Sequence, residues 1–393
     1  MTIVYRQLEE SEKEQYRHLS GYCFHMPKED SEHYAKVFFN KEYSVAAFEG
    51  EKLISLAWYV PYRMHLEGEF YRMAGVSGVV TASPKRREGI VKEIMVRLQH
   101  HMRENGFFIS YLFPFNWEFY RKMGWDDAMR SATLKFEPRD LKDFSADLEG
   151  VRTSDEWNVD DIRAVYHQYI RLWNGGCASE DAGWENRIKA LQKKDLSCAL
   201  FYEGREPVAW MIYRFQKGDK MNFDLSVRLW AVRSIKDFKA LCQHLYHHLD
   251  QNKYIHLSGP GHFPYDRFLK NLWIERKSHT VTMVKVIDIE KALTQRVFPS
   301  SLFGELTLEV SGDPACPWNN RVFSLKFKDG HCGISEGGKP EVSLSIQTFS
   351  QLFAGHADMS ELIELDLIKG DRKKAALLES IFPKRPFFFS EQF

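Results

Sequence analysis

The sequence predicts a mixed α/β (α+β) protein built of three successive units, residues 1–150, 151–285 and 286–393. At 393 residues, the chain is too long for one ordinary hydrophobic core. Strand-like and helix-like segments alternate as far as residue 285, and the order strand, turn, helix of the first unit recurs in the second. Beyond that point, short segments alternate apolar and polar residues between turns, which is typical of an antiparallel sheet.

The first unit has the elements of a twisted sheet covered by helices. The predicted helices cover 10–22, 88–102 and 116–122, and the predicted strands cover 43–49, 53–61, 69–82, 107–113 and 130–136. Ile90, Ile94 and Leu98 recur at helical spacing, so one face of the second helix is buried. The strand over 69–82 ends at Ser83-Pro84, because proline cannot donate to a strand ladder.

The later units are predicted in the same way. In the second unit we expect helices over 159–173, 185–193 and 235–249 and strands over 199–204, 207–215 and 226–233. In the third we expect strands over 280–288, 304–312, 320–330 and 341–347 and a helix over 371–381. Four phenylalanines stand among the last seven residues, and we expect this tail to pack into an apolar groove.

Composition excludes several classes of protein. Lys plus Arg equals Asp plus Glu at 54 each, so no overall charge favours nucleic acid or an anionic membrane. No apolar run reaches the ~18 residues that a membrane span needs, and the start MTIVYRQLEE is too charged for a secretory signal. The six cysteines are scattered without a CxxC motif, which argues against a zinc site or disulfide framework and favours a reducing cytoplasm.

The segment 79–91 (VVTASPKRREGIV) joins the long strand to the helix over 88–102 through a basic turn. The first turn of a helix has unpaired N–H groups and the positive end of the helix dipole, which together bind phosphate. Gly89 lets the backbone approach a pyrophosphate closely, and Arg86 and Arg87 add positive charge beside it. The alternative is a solvated charged turn before an ordinary helix, and an R-x-x-G pattern alone favours that alternative.

A second motif, NWEFYRKMGW at 116–125, follows after one predicted strand. It resembles the Phe-Tyr…Gly-Phe signature that follows the acetyl-CoA loop in the GNAT superfamily of N-acetyltransferases. The two motifs in this order are more specific than either alone. The resemblance implies an acetyl-CoA site and an acetyltransferase activity that needs no metal.

The resemblance also implies which residues hold acetyl-CoA. The implied contacts are Val79, Val80 and Thr81 with the pantetheine arm, Arg86, Arg87, Glu88, Gly89, Ile90, Val91 and Lys92 around the pyrophosphate, and Phe115 and Asn116 nearby. Val91 departs from the Gly or Ala that many of these enzymes have at its position. The larger side chain would crowd the phosphates slightly without removing the N–H groups.

Tyr120 would stand near the thioester sulfur and act as general acid toward the leaving thiolate. A thiol has a pKa of about 8.5 and a phenol one of about 10, so the phenol shares or gives its proton at little cost. The alternative is that Tyr120 packs in a core with its aromatic neighbours Phe113, Phe115, Trp117 and Phe119.

The three-unit order resembles the Eis (enhanced intracellular survival) family, which has an active acetyltransferase unit, a degenerate second one and a tail domain similar to sterol carrier proteins. This resemblance covers essentially the whole chain and implies a hexamer built from trimers. It also implies that the α-carboxylate of Phe393 is the general base. An α-carboxyl pKa of about 3.5 makes a poor base, but an apolar site would raise it, and proton removal either directly or through a water is open.

The sequence leaves the acceptor amine open among polyamines, aminoglycosides and lysine side chains. A function of another class is a carrier or sensor of lipids or drugs, whose first unit would bind CoA without catalysis. Arg87, Gly89 and Tyr120 together favour the enzyme.

Other candidate residues carry weaker signals. The second unit has Arg233-Ser234-Ile235 where the first has its basic turn, with no glycine at the helix start, so we expect no CoA there. The histidines at 244, 247 and 248 lack further metal ligands, and we expect them to be solvated or to face the helix dipole. The segment 258–262 (SGPGH) lacks a nucleophile elbow, and the polar segment at 25–32 is expected to be an exposed loop that lines the amine pocket in the resembled family.

Overall fold

The computed structural model describes residues 2–179, 183–192, 194–218 and 222–389. The first unit has four α-helices and six strands within those ranges. They are β1 (Ile3–Arg6), α1 (Lys13–Cys23), α2 (Lys28–Phe38), β2 (Ser44–Glu49), β3 (Lys52–Leu66), β4 (Glu69–Thr81), α3 (Ile90–Glu104), β5 (Ile109–Leu112), α4 (Trp117–Arg121) and β6 (Asp126–Phe136). Every strand and helix that the sequence predicts here is present.

The polar residues His25, Glu29, Asp30 and Glu32 are exposed as predicted, but the predicted loop at 25–32 is wrong, because most of it belongs to α2, which begins at Lys28. The first turn of this helix has three charged residues, so the sequence shows no apolar pattern where the helix begins. Tyr34 packs against Phe38 with 4.8 Å between ring centroids and edge-on against Trp58 at 6.1 Å. These aromatic contacts hold α2 on the sheet.

The second unit repeats the arrangement of the first. Its elements are β7 (Val151–Ser154), α5 (Val159–Tyr169), β8 (Cys177–Ser179), α6 (Gly183–Gln192), β9 (Ser197–Glu203), β10 (Glu206–Lys217), β11 (Phe223–Val232), α7 (Phe238–Tyr246), β12 (Asn252–Pro260) and β13 (Glu275–Val286). The sequence did not predict β7, β8 or β12; the Gly and Pro residues at 259–260 of β12 read as a loop. The predicted strand over 280–288 of the third unit is wrong in its place, because β13 belongs to the large sheet.

The strands of both units form one continuous sheet in the order β1-β2-β3-β4-β5-β13-β6-β12-β11-β10-β9-β7, with β8 added beside β3. The two units exchange strands: β13 pairs with β5, whereas β6 pairs with β12. Strands from before and after residue 150 therefore belong to the same sheet. The unit boundaries at 150 and 285 stay predictions.

The third unit packs a smaller sheet against helices. Its elements are α8 (Ile289–Gln295), β14 (Gly304–Ser311), β15 (Arg321–Lys328), β16 (His331–Glu336), β17 (Val342–Ser345), α9 (Ile346–Phe353), α10 (Met359–Glu364), β18 (Ile368–Gly370) and α11 (Arg372–Ile381). The strand order is β16-β15-β14-β17-β18, and β14 pairs with β17 in parallel, unlike the predicted antiparallel pattern. One apolar core joins this unit to the inner strands of the large sheet, with Phe349 and Phe353 of α9 beside Val284 and Val286 of β13.

Candidate active site

The basic turn ends where α3 begins. Gly89 precedes α3 with φ +81°, and no side chain caps the N–H groups of the first helical turn. A Cβ at residue 89 would meet no atom within 4 Å, so the backbone conformation, rather than packing, requires glycine here. Arg87 also has a positive φ of 68°, a strained conformation that is common at ligand sites. The turn therefore presents free N–H groups to solvent beside two exposed arginines.

Two contacts fix the base of this turn. The Lys85 ammonium pairs with the Glu49 carboxylate at 2.6 Å, and the Arg86 Nε donates to the Thr81 carbonyl at 3.2 Å. Arg87 has no ion-pair partner within 4.0 Å among the described residues, and its side chain is exposed. One arginine thus holds the turn in place, and the next one extends into solvent.

The backbone of β4 has an open edge that leads to this turn. β5 pairs with β4 only as far as Leu112 opposite Val76, and Pro114 two residues later has no N–H to continue the ladder. On its other side, the Ala82 N–H donates to the Ile54 carbonyl at 2.8 Å. By alternation, Val80 also faces β3, so the N–H and C=O groups of Val79 and Thr81 point toward the gap.

A bulge in β4 accompanies this opening. The register with β3 shifts between Leu56 and Trp58, and Gly78 opposite the shift has φ +58°. A Cβ at Gly78 would lie 1.6 Å from the Trp58 ring, so only glycine fits. Gly78 is not among the residues that the sequence predicts to be important. The signal was a glycine inside a strand, which often marks a bulge.

Tyr120 lies on α4, just beyond the end of β5. The Asn116 side chain caps α4 by accepting from the Phe119 N–H at 2.9 Å, and the Phe115 ring is 68% exposed beside it. The Tyr120 ring contacts Phe115 at 5.3 Å and Trp125 at 6.1 Å and is almost completely buried. Among the described residues, its hydroxyl has no hydrogen-bond partner. Burial raises the pKa of Tyr120 far above its ordinary value, so the hydroxyl stays protonated.

The aromatic tail packs as the sequence predicts, as far as Phe389. The rings of Phe387 and Phe389 stack on Tyr111 of β5 at 5.4 and 5.6 Å, each with an interplanar angle of 12°. Phe389 also contacts Phe113, the residue that follows β5, at 6.1 Å. The tail thus reaches the end of β5 on the face opposite α3. Phe393, the predicted base, lies outside the described residues.

The corresponding turn of the second unit is arranged differently. Arg233 is bound by Asp237 at 3.2 Å and by Glu203 at 2.8 Å. The Asp237 carboxylate stands at the start of α7, where it would repel an anion. The second unit therefore lacks both the glycine and the free cation of the first.

The remaining candidates do not form sites. His244 is half-buried, with Nε2 3.3 Å from the Tyr213 hydroxyl and 3.4 Å from Nε2 of His248, and burial lowers the pKa of His244 to about 4. His244 is therefore not solvated, but it lies in the last turn of α7, as the dipole-facing alternative expects, and His247 is exposed. The Ser258 hydroxyl lies 3.0 Å from that of Thr133. Across the described ranges, no three His, Cys, Asp or Glu side chains are grouped as metal ligands, and no helix is long and apolar enough to cross a membrane.

Comparison with known proteins identifies two domains. Residues 4–128 match the family model of the acetyltransferase (GNAT) domain, and residues 289–390 match that of the sterol carrier protein domain. No curated protein sequence matches the chain.

Solved structures share the fold over essentially the whole chain. A GCN5-related N-acetyltransferase from Anabaena variabilis is 19% identical, with 98% of each chain covered and a TM-score of 0.87. Another from Kribbella flavida is 18% identical, with 100% of this chain and 98% of that chain covered and a TM-score of 0.81. Eis1 from Mycobacterium abscessus is 18% identical, with both chains fully covered and a TM-score of 0.81. The predicted fold class is thereby confirmed.

Proposed function

From the Eis-like architecture of this chain, a GNAT domain followed by a degenerate second unit and a sterol-carrier-like domain, we propose that it is an acetyl-CoA-dependent N-acetyltransferase. The observation that carries the proposal is the open edge of β4, which leads directly to the uncapped start of α3. An extended ligand arm can add to such an edge as another strand would, while its phosphates meet the helix N-terminus.

Acetyl-CoA supplies the activated acetyl thioester when bound. The backbone groups of Val79 and the N–H of Thr81 suit the amides of its pantetheine arm, whereas the Thr81 carbonyl already accepts from Arg86. The N–H groups that follow Gly89 suit its pyrophosphate. Val80 is left out of this contact, because its backbone groups pair with β3. Arg87 adds charge, and the exposed Phe115 ring offers an apolar surface near the thioester end.

We assign Tyr120 as the hydrogen-bond donor to the leaving sulfur. Because burial raises its pKa, complete proton transfer to a thiolate with a pKa of about 8.5 is uphill, and the protonated hydroxyl stabilises the thiolate mainly as a hydrogen-bond donor. The proposed base is the Phe393 carboxylate. Four residues separate it from Phe389, a span of at most ~14 Å.

The acceptor is proposed to be a primary amine of a polyamine, an aminoglycoside or a lysine side chain, and the assembly a hexamer, both from the Eis resemblance. The direct test is thiol release from acetyl-CoA in the presence of each class of amine. An amine-dependent rate supports the proposal. CoA binding without amine-dependent thiol release from any class contradicts it and favours a carrier.

Replacing Tyr120 with Phe should lower kcat by about 10- to 100-fold, because it removes the donor to the leaving sulfur. The affinity for acetyl-CoA and the melting temperature should hardly change, since the hydroxyl has no described partner to lose. Tyr265→Phe is the matched control, because that hydroxyl is also buried without a partner but lies in the second unit. Equal rates for the two variants would assign Tyr120 to packing alone.

Gly89→Glu should weaken binding of CoA by at least about a hundredfold, because it places a carboxylate against the pyrophosphate and strains a left-handed backbone. Gly106→Glu is the matched control at the other end of α3: Gly106 has φ +80°, and a Cβ added there would likewise meet no atom within 4 Å. Calorimetric titration with CoA measures both. The phosphate assignment fails if the folded Gly89→Glu protein binds as tightly as Gly106→Glu.

A further inference from the structure

A cavity of about 800 Å³ lies where the three units meet, away from the basic turn. Its walls come from the start of β6, the loop after β12, helix α10 and the tail segment 384–387. Sites for small molecules often have this size and often lie at such junctions. Nothing in the proposed acetyl transfer uses this cavity.

Most charged groups in its lining already have partners. The pairs are Arg121 with Asp126 at 2.8 Å, Lys384 with Asp358 at 3.1 Å, Arg385 with Glu67 at 3.0 Å and His356 with Asp127 at 3.2 Å. The Asp127 carboxylate also accepts from Gln351 at 2.8 Å. The hydrogen bond with His356, together with the nearby guanidinium groups of Arg121 and Arg130, lowers the pKa of the Asp127 carboxyl. Most of the lining carboxylates therefore already have a partner.

Arg130 is the lining cation without such a partner: among the described residues, no carboxylate lies within 4.0 Å of its guanidinium. The loop after β12 holds its backbone, since the Gly261 N–H donates to the Arg130 carbonyl at 2.9 Å. A Cβ on Gly261 would lie 2.7 Å from that carbonyl, so glycine permits this close approach. Next to it, burial lowers the pKa of His262 to about 4, which leaves the imidazole neutral near pH 7. This wall therefore offers one guanidinium that forms no ion pair within 4.0 Å among the described residues, near the Asp127 carboxylate, and one neutral polar ring.

The wall formed by α10 and the residues after it is apolar. Leu365 is 68% exposed and Leu367 46% exposed, and both line the cavity together with Leu362. Large aliphatic side chains exposed on one wall of a cavity gain free energy when an apolar ligand covers them. Glu361, also without an ion-pair partner in the described ranges, is exposed on the same helix.

We infer that this cavity binds an anionic amphiphile, a carboxylate with an aliphatic chain, with its carboxylate on Arg130 and its chain along Leu362, Leu365 and Leu367. A guanidinium binds a carboxylate through two parallel hydrogen bonds, which gives the site its preference for an anion. The chain of the ligand would also cover Phe387, which lines the cavity and stacks on Tyr111. The cavity is thus next to the tail that runs toward the acetyltransferase site.

Calorimetric titration of the full chain with sodium decanoate tests this inference, with decylamine and decanol as probes of the same chain length. Decanoate should bind at least about tenfold more tightly than either probe, because only it pairs with Arg130. Arg130→Met should weaken decanoate binding by at least about tenfold. Arg139→Met is the control, since that arginine is exposed and paired with Glu137 outside this cavity.

Further variants separate this site from others. Leu365→Ser should weaken decanoate binding several-fold without unfolding the protein, because Leu365 is exposed. Glu361→Gln should leave decanoate binding unchanged or strengthen it, and Gly89→Glu should leave it unchanged. The inference is overturned if decylamine binds more tightly than decanoate, or if Arg130→Met and Arg139→Met bind decanoate equally well. It is also overturned if Gly89→Glu loses decanoate binding, or if the wild-type protein does not bind decanoate at about 1 mM, a concentration of the order that a weak specific ligand would need.

Discussion

Adding a Gly-Ser pair after Phe393 is expected to lower the turnover of acetyl transfer by at least about a hundredfold, with the affinity for acetyl-CoA within about twofold of wild type. Deleting Phe393 should have the same effect. Each residue added or removed displaces the terminal charge by up to ~3.6 Å, which is larger than the tolerance of a proton-transfer contact. The proposed acetyl-CoA contacts at 79–92 are untouched by either change.

The described part of the tail explains why the displacement should matter. Phe387 and Phe389 hold the chain against Tyr111, and the Phe388 N–H donates to the Asn174 carbonyl at 2.9 Å. Sliding of the anchored segment to compensate for an added residue is unfavourable, because a register shift of one or two residues would replace one of the two stacked rings with a polar side chain. The length of the last four residues then fixes how far the carboxylate reaches.

Phe393→Ala is the matched control, because it removes the terminal ring and keeps the α-carboxylate at the same chain length. Its turnover should stay within about tenfold of wild type. Steady-state rates with a responsive amine, together with CoA affinities, measure all three variants. An extended chain with wild-type turnover would show that the terminus has no catalytic part and that the tail serves only to anchor the third unit.

Local signals in the sequence predicted the strand, turn and helix of the proposed acetyl-CoA site, because these elements are contiguous in the chain. Gly89 and the spacing from Ile90 onward place the helix start correctly. The end of β5 before Pro114 is likewise a local signal. No local signal gives the partner of each strand. Polar and apolar residues alternate in β6 and β13 as in ordinary edge strands, yet these two strands are exchanged between units.

For the same reason, the sequence could not predict the role of residues that depend on a neighbour far away in the chain. Gly78 is required by Trp58, twenty residues earlier in the chain, and the cavity around Arg130 exists only because α10 and the tail close it. Lys285 is the sharpest case. Its polar side chain in an alternating strand predicts exposure, but it is completely buried, because β13 lies in the middle of the sheet with the third unit packed against it.

Removing the carboxylate partner of Lys285 is expected to have the largest effect on stability. The Lys285 ammonium donates to Asp313 at 2.7 Å, to the Met123 carbonyl at 2.8 Å and to Gln99 of α3 at 2.5 Å. Asp313→Ala leaves this ammonium buried without a counter-charge, which costs about 3–5 kcal/mol and should lower the melting temperature of a chain of this length by about 5 °C. The network joins the strand, the third unit and the middle of the proposed CoA helix, so CoA affinity should fall as well.

Two controls separate a buried charge from a lost contact. Glu305→Ala breaks an ion pair with Lys326 that has the same N···O distance, 2.7 Å, as the pair of Lys285 with Asp313. Because both Glu305 and Lys326 are exposed, the melting temperature should change by no more than about 2 °C. The double variant Lys285→Met with Asp313→Leu removes both charges and should recover more than half of the loss seen with Asp313→Ala, because no ion then remains buried. Differential scanning calorimetry measures all three. If the Asp313→Ala and Glu305→Ala proteins have the same melting temperature, water reaches Lys285, and the ion pair does not hold the third unit to the sheet.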